Sequence, residues 1–241
     1  MGAKAQILLV TAALLLPAQA YPTGRVDAAD YQAFWLWSGV KATPAMREAR
    51  VMYLHQGEVV THQQRAVFQR LGASVSRLSL PSVWITVRIA TLDMPDEVLE
   101  HVLRLPERWE KAGNKVQGLQ IDFDAATYKL ADYATFLQRL RQRLPARFAL
   151  GVTGLLDWAK TGNIAVLNTL PVDELVVQTY QGRHTVPGYA RYLPALHGLR
   201  IPFKIGVVEY GAWDRRYERD LAASPYYRGA VVFALSAAPP H

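Results

Sequence analysis

Short apolar runs recur along the chain: Phe34 to Trp37, Val51 to His55, Val83 to Ile89, Val116 to Asp124, Phe148 to Thr153, Leu175 to Tyr180, Phe203 to Val208 and Ala230 to Leu235. Each has the length and the β-branched or aromatic content of a buried strand. The segments between them change period. In Leu130 to Leu144 the residues Leu130, Tyr133, Phe136, Leu137, Leu140 and Leu144 recur at helical spacing, with Arg139, Arg141 and Arg143 mostly off that stripe. Asp96 to Lys111 repeats the pattern through Val98, Leu99, Val102, Leu103 and Leu105, and Pro106 should kink or end that helix. Strands alternating with helices predict parallel pairing and right-handed crossovers. Eight such units predict an α/β chain of one compact domain, a (β/α)₈ TIM barrel. The rival doubly wound sheet lacks support, because no G-x-G-x-x-G turn follows any of the runs.

A barrel of this kind carries its chemistry where strands end and the next loops begin. Polar side chains gather there in this sequence: Trp37 and Ser38, His55 with Gln56 and Glu58, Arg88, Asp122 and Asp124, Thr153 with Asp157 and Trp158, Gln178 with Tyr180 and Gln181, and Glu209 with Tyr210. Side chains alternate along a strand, so Leu119, Ile121 and Phe123 should face the helices while Gln120, Asp122 and Asp124 point into the barrel. Carboxylates two residues apart on one face lie roughly 6 to 7 Å apart. Such a pair raises one of the two pKa values, which keeps a carboxyl protonated for general-acid work.

The chain's first twenty residues place Lys4 before an apolar run from Ile7 to Leu16 and end in Ala18-Gln19-Ala20. This is the pattern of an export signal, shorter than a membrane span, so cleavage after Ala20 and a periplasmic or secreted mature chain from 21 to 241 are expected. With no cysteine, disulfides and thiolate metal sites are excluded. Lys plus Arg number 27 against 20 Asp plus Glu, but the basic residues are scattered and do not predict nucleic-acid binding. No membrane span after cleavage, no cofactor and a monomer are expected. His55, His62, Asp122 and Asp124 are the residues that would compose a divalent-metal site, yet no close histidine pair is present and no metal is expected.

Gln117-Gly118-Leu119-Gln120-Ile121-Asp122-Phe123-Asp124 resembles the fourth-strand motif of chitinase-type glycoside hydrolases, D-G-x-D-x-D-x-E. The resemblance implies that Asp122 steadies the substrate's acetamido group and that Asp124 stands where the family has its general-acid Glu. Gln178-Thr179-Tyr180-Gln181 is similar to the family's M-x-Y-D, with only the Tyr kept, and Gly206 to Gly211 to its G-x-x-x-Y-G. Three acidic positions of the fourth-strand motif differ: Gln117 and Gln120 are uncharged, and Asp124 is one methylene shorter than Glu. By the runs Tyr31 to Trp37, Tyr53 to Glu58, Gly118 to Thr127, Thr153 to Trp158 and Val177 to Arg183, nearly the whole mature chain is identified as a member of a family of exported bacterial proteins known only as a domain of unknown function.

The expected function is that of an exported glycoside-hydrolase-like protein acting on a cell-envelope or extracellular polysaccharide. Its alternative is a glycan-binding barrel that has lost the general acid. Asp122, Asp124, Glu58 and Tyr180 are the candidate catalytic residues: Asp124 or Glu58 as acid, Asp122 as stabiliser of positive charge, Tyr180 among the groups that orient the sugar. Substrate binding falls to Trp35, Trp37, His55, Arg88, Gln120, Trp158, Gln178, Gln181 and Glu209. Trp35, Trp37, Trp158, Tyr180, Tyr210 and Trp213 supply flat faces for sugar rings, two or three of them in the cleft.

Overall fold

The computed structural model describes residues 24–124, 129–160 and 164–236. The expected signal segment and residues 125–127 of the run Gly118 to Thr127 lie outside these.

All eight expected strands form: β1 (Ala33–Leu36), β2 (Val51–His62), β3 (Val83–Ile89), β4 (Val116–Asp122), β5 (Ala149–Leu155), β6 (Glu174–Gln178), β7 (Phe203–Val208) and β8 (Tyr227–Phe233). Each pairs in parallel with its sequence neighbours, and β1 bonds both β2 and β8, which closes the sheet into a barrel. Helices lie between strands, most fully on one side. There α1 (Asp96–Leu103) and α2 (Leu105–Lys111) follow β3, and α3 (Leu130–Arg143) follows β4. Pro106 sits in the first turn of α2, where its missing N–H is no loss, so it starts a second helix. On the other side the cladding is short: single turns Asp157–Lys160 and Ile164–Leu167, 3₁₀ segments Tyr189–Arg191 and Leu193–Gly198, and α4 (Arg216–Leu221).

The α3 stripe packs as its spacing predicts, with Leu130, Tyr133, Phe136, Leu137 and Leu140 buried. Its arginines are more engaged than a solvated face would be. Arg139 and Arg143 donate to Asp96 of α1 at 2.5 Å, and Arg141 donates to the carbonyls of Phe148, Leu144 and Pro145. These contacts tie α3 to α1 and to the start of β5.

Strand β2 departs from expectation. It runs twelve residues, beyond the rim, then reverses at Gln63 and Gln64 into an antiparallel strand, Arg65–Arg70. Both glutamines have positive φ, 46° and 62°. Its pairing with β3 shifts register between His55 and Gly57, a bulge in which Gln56 turns outward and accepts from Trp109 Nε1 of α2 at 2.9 Å.

The barrel interior is aromatic in its lower half. Trp35 stacks between Tyr53 and Phe233, and Tyr53 stacks on Trp84. Opposite strands make room with glycine: a Cβ at Gly118 would lie 2.1 Å from the Ala149 carbonyl, and one at Gly151 would lie 1.8 Å from the Gln120 amide oxygen. One ionic group interrupts this layer. Lys204 Nζ lies 2.7 Å from Glu174 Oε2 and donates to the Tyr53 hydroxyl at 2.7 Å, and that hydroxyl donates to Glu174. Burial, then the Glu174 charge, raises the Tyr53 phenol well above its usual range, so it stays a donor.

Removing one member of such a group leaves a buried charge unpaired, at a cost of about 3–5 kcal/mol. Lys204→Met should therefore lower the urea-unfolding free energy by about that amount, and the Glu174→Gln, Lys204→Met double variant should recover most of it. Equal loss in the single and double variants would contradict this account of the interior.

Candidate functional site

The upper half of the interior is polar. The bulge at Gln56 changes the phase of β2, so Glu58, three residues after the inward His55, shares a rung with Arg88 of β3, and Arg88 shares one with Asp122 of β4. On the next strand Thr153 donates to Asp122 Oδ1 at 2.5 Å, and Gln178 of β6 reaches the same oxygen at 3.4 Å. Arg88 bridges the two aspartates, its Nη2 at 3.1 Å from Asp124 Oδ2 and its Nε at 3.9 Å from Asp122 Oδ2. The strand alternation holds: Leu119, Ile121 and Phe123 are buried in the outer core, and Asp122 and Asp124 face the barrel mouth.

The two aspartates differ in surroundings. Asp122 is buried with 2% of its surface exposed, whereas the side chain of Asp124 is half exposed. Burial raises the Asp122 carboxyl from 3.8 to about 6. The Thr153 hydrogen bond and Arg88 oppose the rise, while the Asp124 and Glu58 charges add to it. Tyr180 is raised well above the usual phenol range by burial and then by Asp122 and Asp124, so its hydroxyl keeps its proton.

Asp122 and Asp124 line a cavity of about 610 Å³ at the C-terminal ends of the strands. Trp37, Tyr180 and Tyr192 supply aromatic surface, and Arg88, Asp157, Gln178 and Gln181 supply polar groups. After β6, Tyr180–Gln181 pairs antiparallel with His184–Thr185 around Gly182, whose φ of 58° suits the turn, and this small hairpin forms one lip. A concave site with apolar walls and a few convergent polar groups is what binds small ligands or polymer segments.

The structure thus brings Trp37, Arg88, Asp122, Asp124, Gln178, Tyr180 and Gln181 together. Glu58 lines an adjoining cavity with Arg88 and Asp124. The remaining expected residues lie elsewhere. Trp35 is wholly buried in the aromatic layer below. Trp158 is buried outside the barrel, its ring over Gly154 and edge-on to Tyr133, because the turn Asp157–Lys160 folds back over β5. Trp213 stacks on Tyr189, and its Nε1 donates to Glu218. Glu209 is buried and accepts from the Leu235 backbone N–H at 2.9 Å, while Tyr210 has its ring beneath the Arg25 guanidinium. His55 shares a 2.7 Å hydrogen bond with Ser38 through Nδ1, and burial lowers its pKa below the usual histidine range. Its Nε2, the Thr86 hydroxyl and both amide atoms of Gln120 are buried without a protein partner.

Asp157, Tyr192 and the Leu155–Leu156 pair are cavity residues that were not among the expected site residues. Asp157 carried a signal, since it follows a strand end. Tyr192 lies within a long β6–β7 connection and carried none. Among the described residues, no group of three His, Cys, Asp or Glu side chains comes together to hold a metal ion, and no helix is long and apolar enough to cross a membrane.

Residues 76–195 match the family model described as Domain of unknown function (DUF3142). That stretch is narrower than the near-complete mature chain expected from the sequence runs. It spans β3 to β6 and the following connection, and so contains every residue lining the main cavity except Trp37. No curated protein matches the chain.

The raised Asp122 carboxyl makes stability depend on pH in a direction opposite to that of a salt-bridged aspartate. Unfolded, the group ionises near 3.8; folded, near 6. Stability from this group is therefore whole below about pH 4 and declines as pH rises through 6, by up to roughly 3 kcal/mol. Asp122→Asn should raise the unfolding free energy by about 1–3 kcal/mol near pH 8 and leave it nearly unchanged near pH 4. An equal effect at both pH values would contradict the raised pKa.

Proposed function

We propose that this protein is an exported glycoside-hydrolase-like enzyme that cleaves a cell-envelope or extracellular polysaccharide. The observation that carries the reading is the Asp122–Asp124 pair: a buried carboxyl that exchanges its proton near pH 6 stands beside an accessible one, under an aromatic-walled cavity. Together the pair supplies one proton to the leaving glycosidic oxygen and keeps one negative charge for the oxocarbenium-like transition state. Trp37 and Tyr180 offer ring faces to the sugar, and Arg88 and Gln178 offer hydrogen-bond donors. The short apolar leader ending at Ala20 supports export to the periplasm or beyond, and a glycan is the partner implied.

A second reading, a barrel that binds glycan without cutting it, is favoured by the ion pair itself. Arg88 donates to Asp124 Oδ2 at 3.1 Å, so that oxygen is already engaged by the protein and is not turned to a glycosidic oxygen.

The test is the mature chain against soluble neutral, N-acetylated, cationic and anionic polysaccharides, read as new reducing ends, beside Asp122→Asn and Asp124→Asn. Each substitution should reduce turnover by about 10²-fold or more, and wild-type turnover should decline above about pH 6. Full activity in both variants would dismiss the pair as the centre. Binding by wild type and variants alike, with no new ends from any, would establish the second reading.

A further inference from the structure

A second cavity of about 270 Å³ opens beside the first, with Glu58, Val60 and Ala90 on its walls. Arg88 and Asp124 line both cavities, so the partition between them is the Arg88–Asp124 ion pair. That partition is weak. Both side chains are about half exposed, 47% and 52%, and exposed ion pairs contribute only about 0–1 kcal/mol, so a polar ligand that bonds either partner can part them. The larger space lies within the ordinary range for ligand pockets, roughly 300–1,000 Å³, and the smaller falls just below it. The smaller is thus better suited to extend a ligand seated in the first than to hold one of its own. Because the β2 bulge brings Glu58 onto the rung of Arg88, this extension has a carboxylate of its own to bond a sugar hydroxyl.

We infer that the two cavities are one groove interrupted by the Arg88–Asp124 pair, and that a polysaccharide lies across it with the bond to be cut above that pair. The inference rests on the hydrolytic reading and specifies its substrate as the interior of a chain. Water's hydroxyl joins the anomeric carbon, the glycosidic C–O bond breaks and the leaving oxygen takes the proton. Each event yields one new reducing end. Sugar units on both sides of the break are held, so the first products are long fragments, not single sugars.

The experiment follows product length with time for the wild type on glycol chitin, carboxymethylcellulose, alginate and soluble peptidoglycan strands, by size-exclusion chromatography alongside a reducing-end assay. The expected result, on whichever polymer is cut, is a rapid fall in mean chain length while few reducing ends have formed. Ala90→Trp, which fills the smaller cavity from an exposed position, should lower kcat/KM on that polymer at least tenfold relative to a short oligosaccharide of the same sugar, with an unchanged unfolding midpoint. Single sugars from the earliest time, with mean chain length nearly constant, would overturn the inference and leave the hydrolytic reading standing. So would equal loss on polymer and oligosaccharide in Ala90→Trp. Absence of new reducing ends from all four polymers would overturn both.

Discussion

The hydrogen bonding of β1 to β2 on one side and β8 on the other is the constraint on which the rest of this molecule depends. It leaves no free edge in the eight-stranded sheet and fixes which side chains are enclosed. A closed barrel of eight strands has only enough interior for side chains, so large residues on some strands demand small ones on others. Here Trp35, Tyr53, Trp84 and Phe233 fill the lower half, and Gly118 and Gly151 stand where any Cβ would collide. With the floor filled by stacked rings, only the upper rungs remain to hold polar groups near solvent. Asp122 stands on such a rung, on the same strand face as Gly118 and four residues further up β4.

Burial then gives Asp122 its character. It has one short hydrogen bond, from Thr153, and a distant guanidinium, which together do not offset the loss of water. A carboxyl so placed weakens the fold at neutral pH. By contrast, Glu174 and Lys204 lie lower in the barrel, pair directly and are closed by Tyr53. Asp122 and Glu174, two buried acids of one interior, therefore differ in that Glu174 is balanced and Asp122 is not.

Much of this was legible in the sequence because strand alternation and helical spacing depend on local chemistry alone. The eight runs, the α3 stripe, the break at Pro106 and the inward set Asp122 and Asp124 follow from period and from proline's missing N–H. The aromatic residues were not separable by the same means. Trp35 and Trp37 share one strand face, and only their height in the barrel makes one a floor residue and the other a wall of the cavity. Trp158 lies next to the cavity residue Asp157, yet a tight turn carries it to the outside. The β2 hairpin was invisible because Gln63 and Gln64 take left-handed conformations usually reserved for Asn and Gly. The bulge at Gln56 has no sequence signature at all; it is defined by the partner strand.

That bulge bears on how such a site can change over time. In a strand without it, residues 55, 57 and 59 would face inward and residue 58 would face the helices. One additional backbone unit is what turns Glu58 towards Arg88. Straightening the strand at constant length would thus exchange an acidic wall for the Val59 side chain, whereas losing Gln56 together with the bulge would leave Glu58 facing inward. The charge that β2 turns inward is therefore set by where its backbone is irregular as well as by its composition, and a one-residue gap at position 56 would leave Glu58 its place beside Arg88.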